Sequence, residues 1–133
     1  MGYSQPNQLT GTAKSDRPLS KTYLLDRVLA ERRETLEQER SRVLAQVLRW
    51  LSEQGSQYGI DRAYVFGSVS RPGLFTATSD VDIAVEGMEP EHFFAALGAL
   101  VTELGREVDL VVLNKCPFAD RIRQEGVLWT RTN

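Results

Sequence analysis

The sequence predicts an α/β (α+β) domain: a small mixed sheet flanked by helices, preceded by one long helix or a helical pair. Three observations carry this. Residues 63–67, 81–85 and 108–113 are short apolar runs rich in β-branched residues, the length and composition of strands. Residues 91–104 repeat apolar side chains at helical spacing, and Gly or Pro punctuates the chain at Pro72, Gly73, Gly87, Pro90, Gly105 and Gly126. Residues 22–54 keep a helical pattern that no Gly or Pro interrupts.

In chain order, residues 1–21 are rich in Ser, Thr, Gln, Gly and Pro and poor in apolar residues, which predicts a disordered leader. In 22–54, Leu25, Val28, Leu29, Leu36, Val43, Val47, Leu48 and Leu51 recur at spacings of three, four and seven. The stretch 31–42 is mostly charged and reads as a solvated helix face, with Glu and Arg placed to pair at i, i+4. Either one helix runs through it or two helices meet near Arg32–Thr35. Trp50 shares a face with Val43 and Val47 and reads as core, and Gly55 is a plausible stop. Residues 63–67 form the first strand, and 81–85 the second. A helix over 91–104 places Phe93, Phe94, Leu97, Leu100, Val101 and Leu104 on one face, with Gly105 as its cap. Residues 108–113 form the third strand. A short helix over 117–125 has Pro in its first turn and Gly126 after its end. Val127, Leu128 and Trp129 form a closing strand or an extended tail, with Trp129 packing on the sheet. The organisation expected is a leader at 1–21, a helical segment at 22–55 and one domain at 56–133.

Composition excludes several classes. A net charge of −2 does not suit a general binder of nucleic acid or membrane surface. From residue 56 onward, seven Lys and Arg face eleven Asp and Glu. The single cysteine, Cys116, excludes an internal disulfide and a cysteine-based zinc site. The single histidine, His92, excludes a di-histidine metal centre within one chain and reads as a surface or capping residue. Cys116 reads as a semi-buried thiol and Lys115 as an exposed charge. No apolar run is long enough to span a bilayer and no secretory h-region is present, so the expected location is cytoplasmic.

The chemistry-bearing stretch is Gly67-Ser68, then eleven residues, then Asp80-Val81-Asp82. Residues i and i+2 of a strand share a face, so Asp80 and Asp82 stand side by side and repel unless a cation lies between them. Asp109, inside the third strand, is expensive to bury without a partner. If that strand lies beside the second, three carboxylates converge. Such a set can hold two divalent cations about 3.5–4 Å apart, the arrangement for in-line phosphoryl chemistry. A Gly at a strand end lets backbone approach a phosphate, and Ser68 and neighbouring N–H groups can donate to it. Ser70 and Arg71 are further candidate phosphate contacts.

Gly-Ser, a link, Asp-x-Asp on the following strand and a third strand Asp resemble the polymerase-β-like nucleotidyltransferase superfamily. The wording Phe66-Gly67-Ser68 … Ser79-Asp80-Val81-Asp82-Ile83-Ala84-Val85, and the late segment Arg121-Ile122-Arg123-Gln124-Glu125-Gly126-Val127-Leu128, resemble its minimal nucleotidyltransferase (MNT) branch. The link is one residue longer than the family's usual one, with Pro72 as the insertion. The resemblance implies a polymerase-β-like fold and a two-metal Mg²⁺ site on Asp80, Asp82 and Asp109. It implies a triphosphate held by Gly67 and Ser68, and transfer of a nucleoside monophosphate, AMP from ATP, to a hydroxyl. It further implies a helical HEPN toxin as partner and the role of antitoxin, adenylylating the toxin. A non-catalytic antitoxin, or the nucleotide-binding subunit of a two-component small-molecule transferase, are the alternatives. The long N-terminal helix leaves partner docking and self-association both open.

Overall fold

The structure, a computed structural model, describes residues 21–132; the expected leader therefore lies outside the described residues except for Lys21. The helical pattern resolves into one helix, α1 (Lys21–Gln54), with no break near Arg32. The chain divides between Arg33 and Glu34 into two units. In the first, residues 21–33 of α1 expose Tyr23, Leu24, Leu25, Val28 and Leu29, and Arg27 pairs with Glu31 one turn on at 3.5 Å.

The second unit holds the sheet. Strands β1 (Arg62–Phe66), β2 (Val81–Glu86), β3 (Val108–Val112) and β4 (Val127–Thr130) stand in the order β3-β2-β1-β4. β1 runs antiparallel to β2 and β4, whereas β2 and β3 are parallel. A parallel pair needs a crossover, and α2 (Phe93–Leu104) supplies it. Gly105 ends α2 in the left-handed conformation, φ 64°, its N–H donating to the Val101 carbonyl, as a C-terminal glycine does. The last helix, α3 (Ala119–Glu125), is seven residues long.

Strand alternation builds two layers of unequal size. Ala63, Val65, Val81, Ile83, Val85 and Leu110 face one side. There they pack with Val43, Val47, Trp50 and Leu51 of α1 and with Ala96 and Leu100 of α2. Trp50 is buried and stacks on Tyr58, ring centroids 5.6 Å apart. Trp129 packs against the same core, and its indole N–H donates to Ser52 Oγ at 3.0 Å. On the other side, Tyr64, Ala84 and Val111 stand in one row across β1, β2 and β3, covered by Ile122 and Ala119 of α3.

Two expectations need correction. Phe94 and Val101 do not share the buried face of α2: Phe94 is 80% exposed and Val101 40%. The inward stripe is Phe93, Ala96, Leu97, Leu100 and Leu104, and residues 94 and 101 fall seven apart on its edge. The charged stretch 31–42 is not solvated throughout, because Arg40 turns inward and is buried. Among the described residues, no helix is long and apolar enough to cross a membrane.

Candidate functional site

One step along the open side of the sheet from the Tyr64 row lies the row Phe66, Asp82, Asp109. Register fixes it: Phe66 pairs with Asp82, and Asp82 with Asp109. Asp80 lies just before β2, two residues from Asp82 and on the same face by alternation. α3 covers the Tyr64 row and is too short to close the carboxylate row. Asp80 and Asp109 are consequently exposed, and Asp82 half-buried. The burial cost expected at Asp109 falls on Asp82 instead. Burial first, then the charges of Asp109 and Asp80, push the Asp82 carboxyl up to about 6.

The phosphate-turn candidate abuts this row directly. Gly67–Ser70 form one 3₁₀ turn at the end of β1, with Gly67 at φ 75°. A Cβ on Gly67 would overlap Asp82 Oδ2 and lie 3.0 Å from its Cγ. Glycine is required here twice over, by the left-handed φ and by the carboxylate packed against its Cα. Ser70 Oγ donates to the Gly67 carbonyl at 2.7 Å, closing the turn, and the Arg71 N–H donates to the Ser68 carbonyl at 3.2 Å. The link to Asp80 ends in a second turn, where the Thr76 N–H donates to Ser79 Oγ at 2.8 Å. The extra residue Pro72 sits in the turn-rich part of that link, away from both strands.

A cleft of about 360 Å³ opens beside the turn. Gly67, Ser70, Arg71 and Asp109 line it, facing Cys116, Phe118, Arg121 and Glu125. Ser68 is half-buried in the same turn but does not line the cleft, nor do Asp80 and Asp82. The α3 side of the wall carries no motif spacing. Its one signal was the run from Arg121 to Glu125, which pair at 3.4 Å across one helical turn. His92 and Lys115 lie elsewhere. His92 Nδ1 contacts the Tyr58 carbonyl at 3.2 Å, and Lys115 lines a separate groove with Phe93 and Phe94.

A divalent cation fits the chemistry of this donor set. Three carboxylates supply hard oxygen ligands, and their mutual repulsion at Asp82 is relieved by positive charge. Among the described residues no group of three or more His, Cys, Asp or Glu side chains is placed to hold a metal ion by itself. An open carboxylate set suits Mg²⁺, which is bound by one or two carboxylates together with substrate phosphates and water.

Residues 51–133 match the family model described as Polymerase beta, Nucleotidyltransferase. A solved structure named for a minimal nucleotidyltransferase has a TM-score of 0.50 and 28% identity to this chain, over 71% of this chain and 93% of that one. A chain of the MntA–HpeT toxin–antitoxin structure, solved as a mutant, has a TM-score of 0.50 and 24% identity, covering 67% of this chain and 72% of its own; that likeness shows the fold. None of the curated proteins matches the chain. The family match spans all four strands, the turn at Gly67 and the three aspartates, and the chain belongs to the polymerase-β nucleotidyltransferase family, with a domain of the minimal nucleotidyltransferase type.

Proposed function

We propose that this protein transfers AMP from ATP to a hydroxyl of a partner protein, as the adenylylating antitoxin of a HEPN-type toxin. The observation that carries the transfer chemistry is the packing of Gly67 against Asp82. It sets a turn suited to phosphate directly beside a carboxylate row suited to cations. Gly67, Ser68, Ser70 and Arg71 would bind the triphosphate, while Asp80, Asp82 and Asp109 would hold Mg²⁺. A divalent metal held there would neutralise charge on the phosphates and lower the pKa of the attacking hydroxyl. The acceptor oxygen bonds to the α-phosphorus, the bridge to the β-phosphate breaks, and pyrophosphate leaves. Asp109, exposed on the cleft, accepts the hydroxyl proton. A toxin as partner is supported by the fold shared with a chain of the MntA–HpeT toxin–antitoxin structure, and the HEPN class by the sequence resemblance alone. An acceptor from another protein also suits a cleft that half of one sheet face leaves open.

Incubating the full chain with ATP, Mg²⁺ and a co-expressed HEPN-type protein, followed by intact mass spectrometry, tests this. The partner is expected to gain the mass of one AMP, and Asp80→Ala or Asp82→Ala to abolish the gain. Equal labelling by both variants would remove these residues from the site. Transfer to a small alcohol with none to protein would replace the partner.

A further inference from the structure

The middle of α1 reaches the candidate site from behind. Arg40 is the buried charged side chain among the described residues, 9% exposed. Its Nη1 donates to the Val69 carbonyl at 3.0 Å, and its Nε donates to Glu37 Oε1 at 3.0 Å. Val69 lies inside the Gly67–Ser70 turn with its own side chain fully buried. The Val69 carbonyl and the Ser70 N–H belong to one peptide unit, so a guanidinium on the carbonyl polarises that N–H and makes it a stronger donor.

A second guanidinium repeats the arrangement at the other end of the link. Arg106 Nη1 donates to the Ser79 carbonyl at 3.1 Å, and Nη2 pairs with Glu39 of α1 at 3.3 Å. Its guanidinium carbon lies over the Phe75 ring, 4.9 Å from the centroid. Val69 and Ser79 are the first and last residues of the eleven-residue link between Ser68 and Asp80. Both ends of that link are therefore held through arginines paired to neighbouring carboxylates of α1. One tie is at the phosphate turn, the other at the residue before the first aspartate.

We propose that Arg40 and Arg106 are positioning residues that fix the phosphate turn relative to the carboxylate row. Through them, the charged middle of α1, outside the segment matched by the family model, sets the geometry of the site. The inference rests on the reading of the turn as a triphosphate site, and hydrogen exchange tests it independently of that reading. Arg40→Met keeps the apolar stem and removes both hydrogen-bonding functions; Arg40→Lys keeps charge and a donor.

Amide exchange of the full-length protein is expected to accelerate about tenfold at Ser70 and Arg71 in Arg40→Met, leave β2 and β3 unchanged, and return part-way in Arg40→Lys. For Arg106→Met the acceleration is expected at Ser79 and Asp80. In transfer assays held well below each variant's Tm, the KM for ATP is expected to rise about fivefold or more in Arg40→Met, with kcat changed less. Unchanged exchange at 70–71, or acceleration spread evenly over every strand, would overturn the proposal. So would an unchanged KM in an active variant. A wild-type protein without transfer would instead reject the functional reading, and the exchange pattern would still decide the role of Arg40.

Discussion

At position 67 a side chain has no room, because the Asp82 carboxylate fills the space a Cβ would take and φ is 75°. Gly67→Ala is expected to cost about 2 kcal/mol in urea unfolding, from left-handed strain plus displacement of Asp82. ATP binding measured by calorimetry should weaken along with it. Asp82 itself carries a pH signature. Its folded-state carboxyl is raised to about 6 from 3.8, so the folded state holds the proton more tightly than the unfolded state. The corresponding stability is full below about pH 4 and is lost as pH rises through about 6. In EDTA, Asp82→Asn is expected to be more stable than wild type at pH 8 by about 1 kcal/mol, discounted for partial exposure. The two should converge near pH 4, and Mg²⁺ should narrow the gap at pH 8. Thermal melts across pH with and without Mg²⁺ check all three; a wild type more stable than Asp82→Asn in EDTA at pH 8 would contradict the charge cluster. The aspartates and Gly67 were legible in the sequence because each breaks a local rule: an acid in an apolar strand, a Gly where a strand ends. Arg40 broke none. Within a run of alternating Glu and Arg, nothing marks the one arginine that turns inward, since Glu37 is within reach at i−3 whichever way the helix rotates.

At the scale of elements, α1 is a helix of two characters. Val43, Val47, Trp50 and Leu51 are buried, whereas Leu25, Val28 and Leu29 are exposed. Trp50→Ala is expected to destabilise the fold by about 3–5 kcal/mol, and Leu25→Ala by less than about 0.5 kcal/mol, in denaturant unfolding of the full chain. Comparable losses at both positions would show that the exposed apolar residues also support the fold. Apolar periodicity sufficed to place α1, α2 and the strands, because each has a buried stripe that the chain cannot expose. It failed at Phe94 and Val101. Helical spacing suggested a wide apolar face on α2, whereas the sheet below accepts only the narrower stripe through Ala96 and Leu100. Three strands were legible, the fourth stood open between a strand and an extended tail until the structure showed it as Val127–Thr130, and the strand order was not legible. Pairing β2 parallel to β3 follows from the crossover through α2, and it brings Asp109 beside Asp82.

For the molecule as a whole, one sheet face is packed by α1 and α2, and the other is half covered by the seven-residue α3. The uncovered half carries the aspartates, and the cleft of about 360 Å³ opens beside it. Strand pairing, turn and cleft thus lie together on one sheet face, and the proposed function assigns the triphosphate and the metal to this place, with the acceptor arriving from outside. The direct test is the fate of each phosphate of ATP. With Mg²⁺ and an acceptor present, label in the α-phosphate is expected to pass to the acceptor and label in the γ-phosphate to leave as pyrophosphate. Both should be lost in Asp80→Ala and Asp82→Ala. Transfer of the γ-label, or α-label transfer that persists in those variants, would contradict a nucleotidyl-transfer site built on Gly67 and the three aspartates.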